Sequence, residues 1–303
     1  MRIPRAFGVR IPWRGGVGGG LQGAVKYGII YAMSKIMRVS ILTVCYNAEQ
    51  TIGSTMESVA RQICSDDFEI EYLILDGGST DGTVEKVAAF AAEVPRLNPK
   101  VRVYWQSEKD RGMYDALNKG IEKATGDVIG ILNADDVFSD VDTIGAIAKE
   151  FETDGVDAIY ADIRFVRELG GRTVRYCSAR HFRPWMFRFG VMVPHPSFYC
   201  RRGYFVKLGG YSLDYRICAD FELVMRYLWK NRLMAKYVPR CVVDMRLGGA
   251  STAGFRSNIE INREDLRALR ANGYWSILPL LYVKYFFKVW GFIFRGAGAN
   301  KKS

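Results

Sequence analysis

Two adjacent carboxylates follow an apolar stretch near the middle of the chain. Asp135 and Asp136 come shortly after residues 129–132, Ile-Gly-Ile-Leu, a run typical of a buried strand. Carboxylate oxygens are the ligands that Mg²⁺ and Mn²⁺ prefer, often one or two of them together with substrate phosphates. The pair therefore predicts a site for a metal-bound phosphate. A solvated turn in which Asp136 or Asp140 caps the next helix would account for the same residues.

A third carboxylate is expected at the same edge. Asp76 follows another apolar strand, Ile70–Leu75, and precedes the glycine-rich turn 77–82. Ligands of open α/β sheets bind outside the carboxyl ends of the strands, so Asp76, Asp135 and Asp136 should face one crevice. Because like charges repel, such a cluster favours a bound cation or a hydrogen-bonding ligand.

Strands and helices alternate in the first half of the chain and must position these carboxylates. The predicted strands are Val39–Cys45, Ile70–Leu75, Val101–Trp105 and Asp127–Leu132. Helices are predicted after Asn47, after the 77–82 turn and over Met113–Ala124, with Asn47 capping the first of them. The alternation predicts an α/β fold with a mostly parallel, doubly wound sheet.

The second half of the chain is less regular. Strands are predicted over Ala158–Asp162 and around Val242 and Val243. Between them, Ile163–Val166 and Thr173–Tyr176 are predicted to form a hairpin across a Gly-Gly pair. Helices are predicted over Phe221–Lys230 and Asn258–Ala271.

The basic charge of the chain is concentrated at its ends. Seven basic and no acidic residues precede Glu49, and seven basic and no acidic residues follow Asp265, within a net charge of +11. A nucleic-acid-binding domain usually carries its basic surface on the folded domain itself. Basic ends suit an anionic membrane surface better, so no nucleic-acid partner is expected.

Six scattered cysteines, without a Cys-x-x-Cys pair, and only two histidines make a zinc site improbable. We expect reduced thiols in a cytosolic protein.

The two ends differ in composition from the middle, and three regions are expected. Residues 1–36 are rich in Gly and Arg without a clear period, which predicts a disordered or mis-assigned extension before a domain over residues 37–250. Residues 251–303 are expected to form a C-terminal amphipathic, aromatic helical extension that associates with the membrane. Its run 276–294 predicts an interfacial helix, with Lys284 and Lys288 reaching toward anionic headgroups. A helix packed on the core or on a second subunit remains the alternative.

Four ordered motifs resemble those of family 2 glycosyltransferases, inverting enzymes of the hexosyltransferase class with the GT-A, or nucleotide-diphospho-sugar transferase, fold. The resemblance covers about Arg38 to Gly249, and the chain departs from the family at Val44 and Cys45, where Pro and Thr are common. The motifs are Thr43-Val44-Cys45-Tyr46-Asn47-Ala48-Glu49, Asp76-Gly77-Gly78-Ser79-Thr80-Asp81-Gly82, Asp110-Arg111-Gly112-Met113-Tyr114-Asp115-Ala116-Leu117-Asn118-Lys119-Gly120 and Asn133-Ala134-Asp135-Asp136.

The resemblance implies a nucleotide-sugar site. Thr43 and Tyr46 would line the nucleobase pocket, and Asp76 would accept a hydrogen bond from the base. Arg111 would lie near the nucleotide, and Asp135 would hold the ribose.

The resemblance also implies the residues of the reaction. Asp136 would bind Mg²⁺ or Mn²⁺ bridging the diphosphate, and Asp220, at the start of a later helix, would be the general base. A simple helix cap is the alternative role of Asp220. His195 would contact donor phosphate or acceptor, or would have a structural role between Pro194 and Pro196.

The implied function is metal-assisted transfer of a sugar from a nucleotide-diphosphate sugar to an acceptor hydroxyl. The acceptor would be a lipid-linked or polysaccharide-precursor glycan, reached by a cytoplasmic protein bound peripherally to the inner face of the membrane. A nucleotidyltransferase and a non-catalytic membrane-surface adaptor remain alternatives.

Overall fold

The computed structural model describes residues 36–247 and 254–285. In the second range the side chains are described from residue 258 onward. Within these ranges one sheet has nine strands: β1 (Met37–Cys45), β2 (Phe68–Asp76), β3 (Val101–Ser107), β4 (Val128–Ile131), β5 (Val137–Phe138), β6 (Ala158–Val166), β7 (Thr173–Cys177), β8 (Tyr199–Arg201) and β9 (Ala235–Arg246).

In the described ranges, α-helices connect or follow these strands: α1 (Ile52–Ala60), α2 (Thr83–Leu97), α3 (Met113–Lys123), α4 (Thr143–Glu150), α5 (Arg202–Leu208), α6 (Ala219–Met225) and α7 (Gly254–Ala271). Residues Pro184–Phe189 and His195–Ser197 form 3-10 turns, Arg226–Lys230 extend α6 as a π-helical turn, and residues 278–285 are helical.

The sheet has a parallel half and a mixed half. Its order is β3-β2-β1-β4-β8-β6-β9-β5, with β7 beside β6. The pairs among β3, β2, β1 and β4 are all parallel, as the sequence predicts. In the other half β6 and β9 run parallel, whereas β8, β7 and β5 pair antiparallel with their neighbours.

Helices cover both faces of the sheet, which makes it doubly wound. In β1, Val39 and Ile41 point into a core shared with α1, α2 and α4, while Leu42 points into the opposite core with α3, α5, α6 and α7. At β4, a side chain on Gly130 would overlap the ring of Tyr199, so the glycine allows the two strands β4 and β8 to pack closely.

The second half agrees with the predicted hairpin and differs in detail. Strand β7 pairs antiparallel with β6, but β6 is one continuous strand and not the two that the sequence predicts. It stays continuous because β9 pairs with it from Ala158 to Val166.

The helical segment 278–285 packs on the same body as the sheet. Leu281 is fully buried in the core that also contains Ala268 and Leu269 of α7. Lys284 is buried as well, and its Nζ lies 2.7 Å from Asp265 Oδ2. The prediction that Lys284 reaches toward lipid headgroups is therefore wrong, because its charge is paired inside the protein.

Several predictions lie outside the described residues. They concern the extension over residues 1–35, Lys288 and the rest of the run up to residue 294. Within residues 36–247 and 254–285, no helix has both the length and the apolar character that a membrane crossing requires.

Candidate active site

Three parallel strands end side by side at one edge of the sheet. The β1 residue Cys45 is in register with Asp76 at the end of β2, and Asp76 is in register with Ser107 at the end of β3. On the other side of β1, Ile131 of β4 pairs with Leu42, which brings the segment 133–136 to the same edge. The topology therefore brings the predicted carboxylates Asp76, Asp135 and Asp136 to one edge of the sheet, which we name the carboxylate rim.

Asp76 is buried and holds the turn that follows it. Its Oδ2 accepts hydrogen bonds from the Gly78 and Ser79 amides at 3.0 and 2.9 Å and from Ser107 Oγ at 2.6 Å. Its Oδ1 accepts a bond from Ser79 Oγ. Burial disfavours the charge, but the bonds from Ser107 and Ser79 outweigh it and hold the pKa of Asp76 below its ordinary value. Base recognition by Asp76 stays a prediction, and the bonds observed are to its own turn.

Thr43 and Tyr46 differ sharply in exposure. Thr43 is fully buried, its Oγ1 donates to the Leu132 carbonyl at 2.7 Å, and Tyr72 donates to it at 3.1 Å. Its side chain thus ties β1 to the residue that follows β4. A role of Thr43 at the nucleobase stays a prediction. Tyr46 is 64% exposed at the end of β1 and is available to a ligand.

Asn47 and Cys45 complete this strand end. Asn47 adopts a φ of 49° and accepts a bond from the Thr80 amide at 2.9 Å, so the prediction that it caps α1 is wrong; the cap position is Thr51. Cys45, where the family often has Thr, directs its thiol to Asp76 Oδ1 at 3.7 Å. Burial and the charge of Asp76 raise the pKa of this thiol to about 12, so it remains a protonated donor.

The two adjacent aspartates occupy different environments. Asp136 is buried and accepts bonds from Asn133 Nδ2 at 2.9 Å and from the Arg246 amide at 3.3 Å. Burial and the charge of Asp135 raise the pKa of Asp136 to about 7. The helix α4 has Asp142 at its cap position, so the alternative that Asp136 or Asp140 caps this helix is wrong.

These oxygens suit a hard divalent cation that also binds substrate. Across the described ranges, no three His, Cys, Asp or Glu side chains come together as a complete metal site. The protein would therefore supply the Asp135–Asp136 pair and the substrate would supply phosphate oxygens, an arrangement that Mg²⁺ commonly adopts.

Arg246 is a neighbour of this pair that sequence reasoning missed. It ends β9, and its guanidinium Nε is buried without a hydrogen-bond partner. Its positive charge lowers the pKa of Asp136 against the effect of burial. A buried guanidinium nitrogen without a hydrogen-bond partner, beside a carboxylate pair, is suited to an anionic ligand. No motif marks it, because the antiparallel pairing of β5 with β9 brings the end of β9 next to Asp136.

The loop before α3 adds charged groups to the rim. Arg111 is 77% exposed and pairs with Asp115 at 2.9 Å, so its guanidinium is accessible beside this loop. Asp110 received no role from the sequence, yet its Oδ2 lies 2.6 Å from where a side chain on Gly77 would begin. The glycine thus makes room for Asp110 next to the turn held by Asp76.

Asp220 lies in the first turn of α6 and is half-buried. Cys218 occupies the cap position, so the alternative role of Asp220 as a helix cap is wrong. Its Oδ1 accepts a bond from the Phe221 amide at 2.8 Å, and Tyr114 Oη lies 3.4 Å away. None of the described residues donates a hydrogen bond to its Oδ2, which leaves one carboxylate oxygen for a substrate hydroxyl.

Two stacked tyrosines connect His195 to Asp220. His195 Nε2 lies 2.7 Å from Tyr211 Oη, and the ring of Tyr211 stacks on Tyr114 at a centroid distance of 5.4 Å. Burial lowers the pKa of His195, which keeps its ring neutral near pH 7. These contacts favour the structural role of His195. Because Tyr114 is the second residue of α3, which begins directly after the 110–112 loop, α3 joins the strand-end carboxylates to Asp220.

The chain is similar in sequence to known glycosyltransferases. The model of "Glycosyl transferase family 2" matches residues 40–206. A "PGL/p-HBAD biosynthesis glycosyltransferase" of Mycobacterium tuberculosis is 29% identical over 231 residues, covering 76% of this chain and 83% of the relative. An uncharacterized glycosyltransferase of the same species is 31% identical over 194 residues, covering 64% of this chain and 70% of the relative.

Two solved structures share the fold. TarS of S. aureus, in complex with UDP-GlcNAc, superimposes with a TM-score of 0.59 at 17% identity, covering 86% of this chain and 75% of that one. The mannosyltransferase PcManGT of Pyrobaculum calidifontis, in complex with GDP-Man and Mn²⁺, gives a TM-score of 0.57 at 18% identity, covering 89% and 77%. At such identities these similarities concern the fold.

Proposed function

We propose a specific reaction from the premise that this chain belongs to glycosyl transferase family 2 and is a glycosyltransferase with the GT-A fold. The reaction is transfer of a sugar from a nucleoside-diphosphate sugar to an acceptor hydroxyl, with inversion at the anomeric carbon. The observation that supports it is that the protein has both a group of carboxylates at the strand ends and a separate carboxylate, Asp220, with one oxygen available.

The donor side of the proposal rests on Asp135, Asp136 and Arg246. Asp136 would bind Mg²⁺ or Mn²⁺ through oxygen, and such a cation stabilises the charge that develops on a departing diphosphate. Arg246 would donate hydrogen bonds to the same phosphates. A structural neighbour bound to GDP-Man and Mn²⁺ supports a divalent ion in this fold.

The nucleoside would lie along the ends of β1 to β3. Tyr46 would stack on the base, Asp135 would bind the ribose, and Arg111 would approach the phosphates from the α3 loop. Neighbours bound to UDP-GlcNAc and to GDP-Man support a nucleotide sugar as the class of donor. The contacts of Asp76 support an indirect part in base recognition, through the shape of the 77–79 turn.

Asp220 would act as the general base. An acceptor hydroxyl is a poor nucleophile until its proton is removed, and a positioned carboxylate contributes about 10²–10⁴-fold to such a step. The proton would pass to Asp220 Oδ2, the acceptor oxygen would form the new bond to the anomeric carbon, and the nucleoside diphosphate would leave with the electron pair of the broken bond. Attack from the face opposite the leaving group inverts that carbon.

Exposed aromatic side chains support a membrane-bound acceptor. Trp185 is 56% exposed and Trp275 is 63% exposed. The segments that carry them are joined by a hydrogen bond of 2.8 Å from Ser276 Oγ to the Arg188 carbonyl. We name Trp185, Trp275, Ile277 and Leu278 the aromatic face.

The aromatic face has the composition of a membrane-interfacial surface. Three basic residues lie in segments next to the aromatic face: Arg188, Lys230 and Arg232. Within the described ranges none of them forms an ion pair. Apolar rings with nearby basic groups are typical of proteins that lie on anionic membranes. The proposed setting is the cytoplasmic face of the membrane, with a lipid-linked or polysaccharide-precursor glycan as acceptor.

Product analysis tests the reaction. The purified protein is incubated with a panel of UDP- and GDP-sugars in Mn²⁺ or in EDTA. Release of a nucleoside diphosphate in Mn²⁺ alone is the expected result. Release of pyrophosphate from a nucleoside triphosphate and a sugar phosphate would indicate a nucleotidyltransferase, and no turnover of any donor would indicate a non-catalytic adaptor.

Vesicle flotation tests the aromatic face. The double variant Trp185→Ser/Trp275→Ser should lose flotation with anionic vesicles, whereas the control Val206→Ser/Met234→Ser, at positions 73% and 61% exposed, should keep it. Truncation after Gly273 is unsuitable, because it would remove Lys284 and leave Asp265 buried without its partner. Equal flotation of both double variants would contradict the proposal.

A further inference from the structure

Glu264 of α7 binds three consecutive backbone amides just before Asp220. Its Oε1 accepts from the Arg216 amide at 2.9 Å, and its Oε2 accepts from the Ile217 and Cys218 amides, both at 2.9 Å. Hydrogen bonds to a charged acceptor are roughly twice as strong as neutral ones. One side chain therefore fixes the backbone of the segment that delivers the proposed base.

Other contacts hold the same segment against α7. The Cys218 thiol donates to the Ile261 carbonyl at 3.5 Å, and the Arg267 guanidinium lies 4.6 Å from the ring centre of Tyr215. From the opposite side, Tyr114 Oη donates to the Ile217 carbonyl. The segment 214–218, which we name the base loop, is thus held between α3 and α7.

The helix α7 is itself fixed below the base loop. The ion pair of Asp265 with Lys284 joins α7 to the segment 278–285, and both side chains are buried. Gly190, at a φ of 66°, closes over this pair, because a side chain there would begin 2.8 Å from Lys284 Nζ. Since Asp265 is neighbour to Glu264, the pair fixes the position from which Glu264 reaches the base loop.

We propose that Glu264 is a positioning residue for Asp220. It sets the path of the base loop and thereby the direction from which Asp220 approaches the acceptor hydroxyl. The inference rests on the proposed role of Asp220 as general base. It adds a second determinant of the reaction, after Asp220, beyond residue 206, where the matched family region ends.

Loss of Glu264 should change the position of Asp220 more than it lowers the free energy of unfolding. Glu264 is half-buried, so water can reach the amides that it leaves, and its carboxylate contributes little to the apolar core. A displacement of about 1 Å in a reacting group can cost on the order of 10²-fold in rate. Turnover should therefore fall while donor binding is kept, because the carboxylate rim does not contact Glu264.

Kinetics of matched variants test the proposal. We compare Glu264→Ala and Glu264→Gln with Glu260→Ala, an exposed glutamate one turn earlier on the same helix. For Glu264→Ala we expect kcat to fall on the order of 10²-fold, with the Kd for UDP or GDP in Mn²⁺ unchanged. Glu264→Gln keeps one acceptor oxygen and should show a smaller loss, and Glu260→Ala should match the unmodified protein.

Two kinetic outcomes would overturn the proposal. One is a normal kcat in Glu264→Ala under conditions where Asp220→Asn is inactive. The other is an equal loss of kcat in Glu260→Ala. Hydrogen exchange gives a readout that does not depend on activity: the amides of residues 216–218 should exchange faster in Glu264→Gln, and unchanged rates would contradict the proposal even if Glu264→Ala fails to fold. Failure of the unmodified protein to use any nucleotide sugar would instead contradict the proposed function.

Discussion

The carboxylate rim and the base loop bring their functional groups into place by different means. At the rim, Asp76 ends β2 and Asp136 follows β4, so the register of the sheet fixes both within one half of the chain. Asp220 follows a loop whose amides are bound by Glu264, 44 residues later in the chain. Donor binding and proton removal therefore depend on separate parts of the structure, and substitutions should separate them.

The largest effect is expected at the rim. Asp136→Ala should abolish metal-dependent transfer, because it removes the carboxylate expected to fix the cation and with it the donor diphosphate. Turnover and donor affinity in Mn²⁺ should both be lost, while the exposed control Asp154→Ala should retain both. Near-normal turnover of Asp136→Ala in Mn²⁺ would show that the cation is not held there.

A large effect of another kind is expected at the base loop. Asp220→Asn keeps the shape of the side chain but cannot take the acceptor proton, so kcat should fall about 10²–10⁴-fold. The Kd for the nucleoside diphosphate, measured by calorimetry, should not change. A parallel loss of nucleotide affinity would contradict the separation of the two regions.

A smaller effect, on stability, is expected for the turn at the rim. Asp76→Asn replaces an acceptor of several hydrogen bonds by an amide, and a buried donor left without a partner costs about 1–3 kcal/mol. Urea denaturation should show a loss of this size, with a modest rise in the KM for the donor. A stability equal to that of the unmodified protein would show that the turn does not depend on this carboxylate.

The smallest effect concerns His195 beside the tyrosine stack. Burial lowers its pKa below the ordinary value of 6.5, so the unfolded chain binds a proton there more readily than the folded protein. The free energy of unfolding should therefore decrease as the pH falls below about 6.5. His195→Gln should weaken this dependence and the exposed His181→Gln should not. Identical pH profiles for the two variants would exclude a buried, neutral His195.

The sequence predicts the rim well and the base loop poorly, for a physical reason. Strand periodicity and the strand–turn–helix alternation are local patterns, and they place Asp135 and Asp136 at a strand end, as the structure confirms. Thr43 follows the same local pattern, but the direction of its hydroxyl depends on the Leu132 carbonyl just after β4, 89 residues away in the chain.

Long-range pairs explain the remaining differences. Within an aromatic run, Lys284 has the pattern of an interfacial residue, and only tertiary packing reveals that Asp265 neutralises it in the interior. Glu264 and Arg246 belong to no motif, because their partners are backbone amides and a carboxylate on distant elements. Local patterns thus carry the part of the site built by the sheet, and they omit the part that is held by contacts distant in sequence.

Calorimetric titration of UDP and GDP in Mn²⁺ into the unmodified protein, Asp136→Ala and Asp220→Asn tests the central claim most directly. We expect one of the two nucleotides to bind the unmodified protein and Asp220→Asn with equal affinity, and to show no measurable binding to Asp136→Ala. Equal affinity for all three proteins, or a loss of binding in Asp220→Asn alone, would contradict the assignment of donor binding to the rim and of proton removal to Asp220.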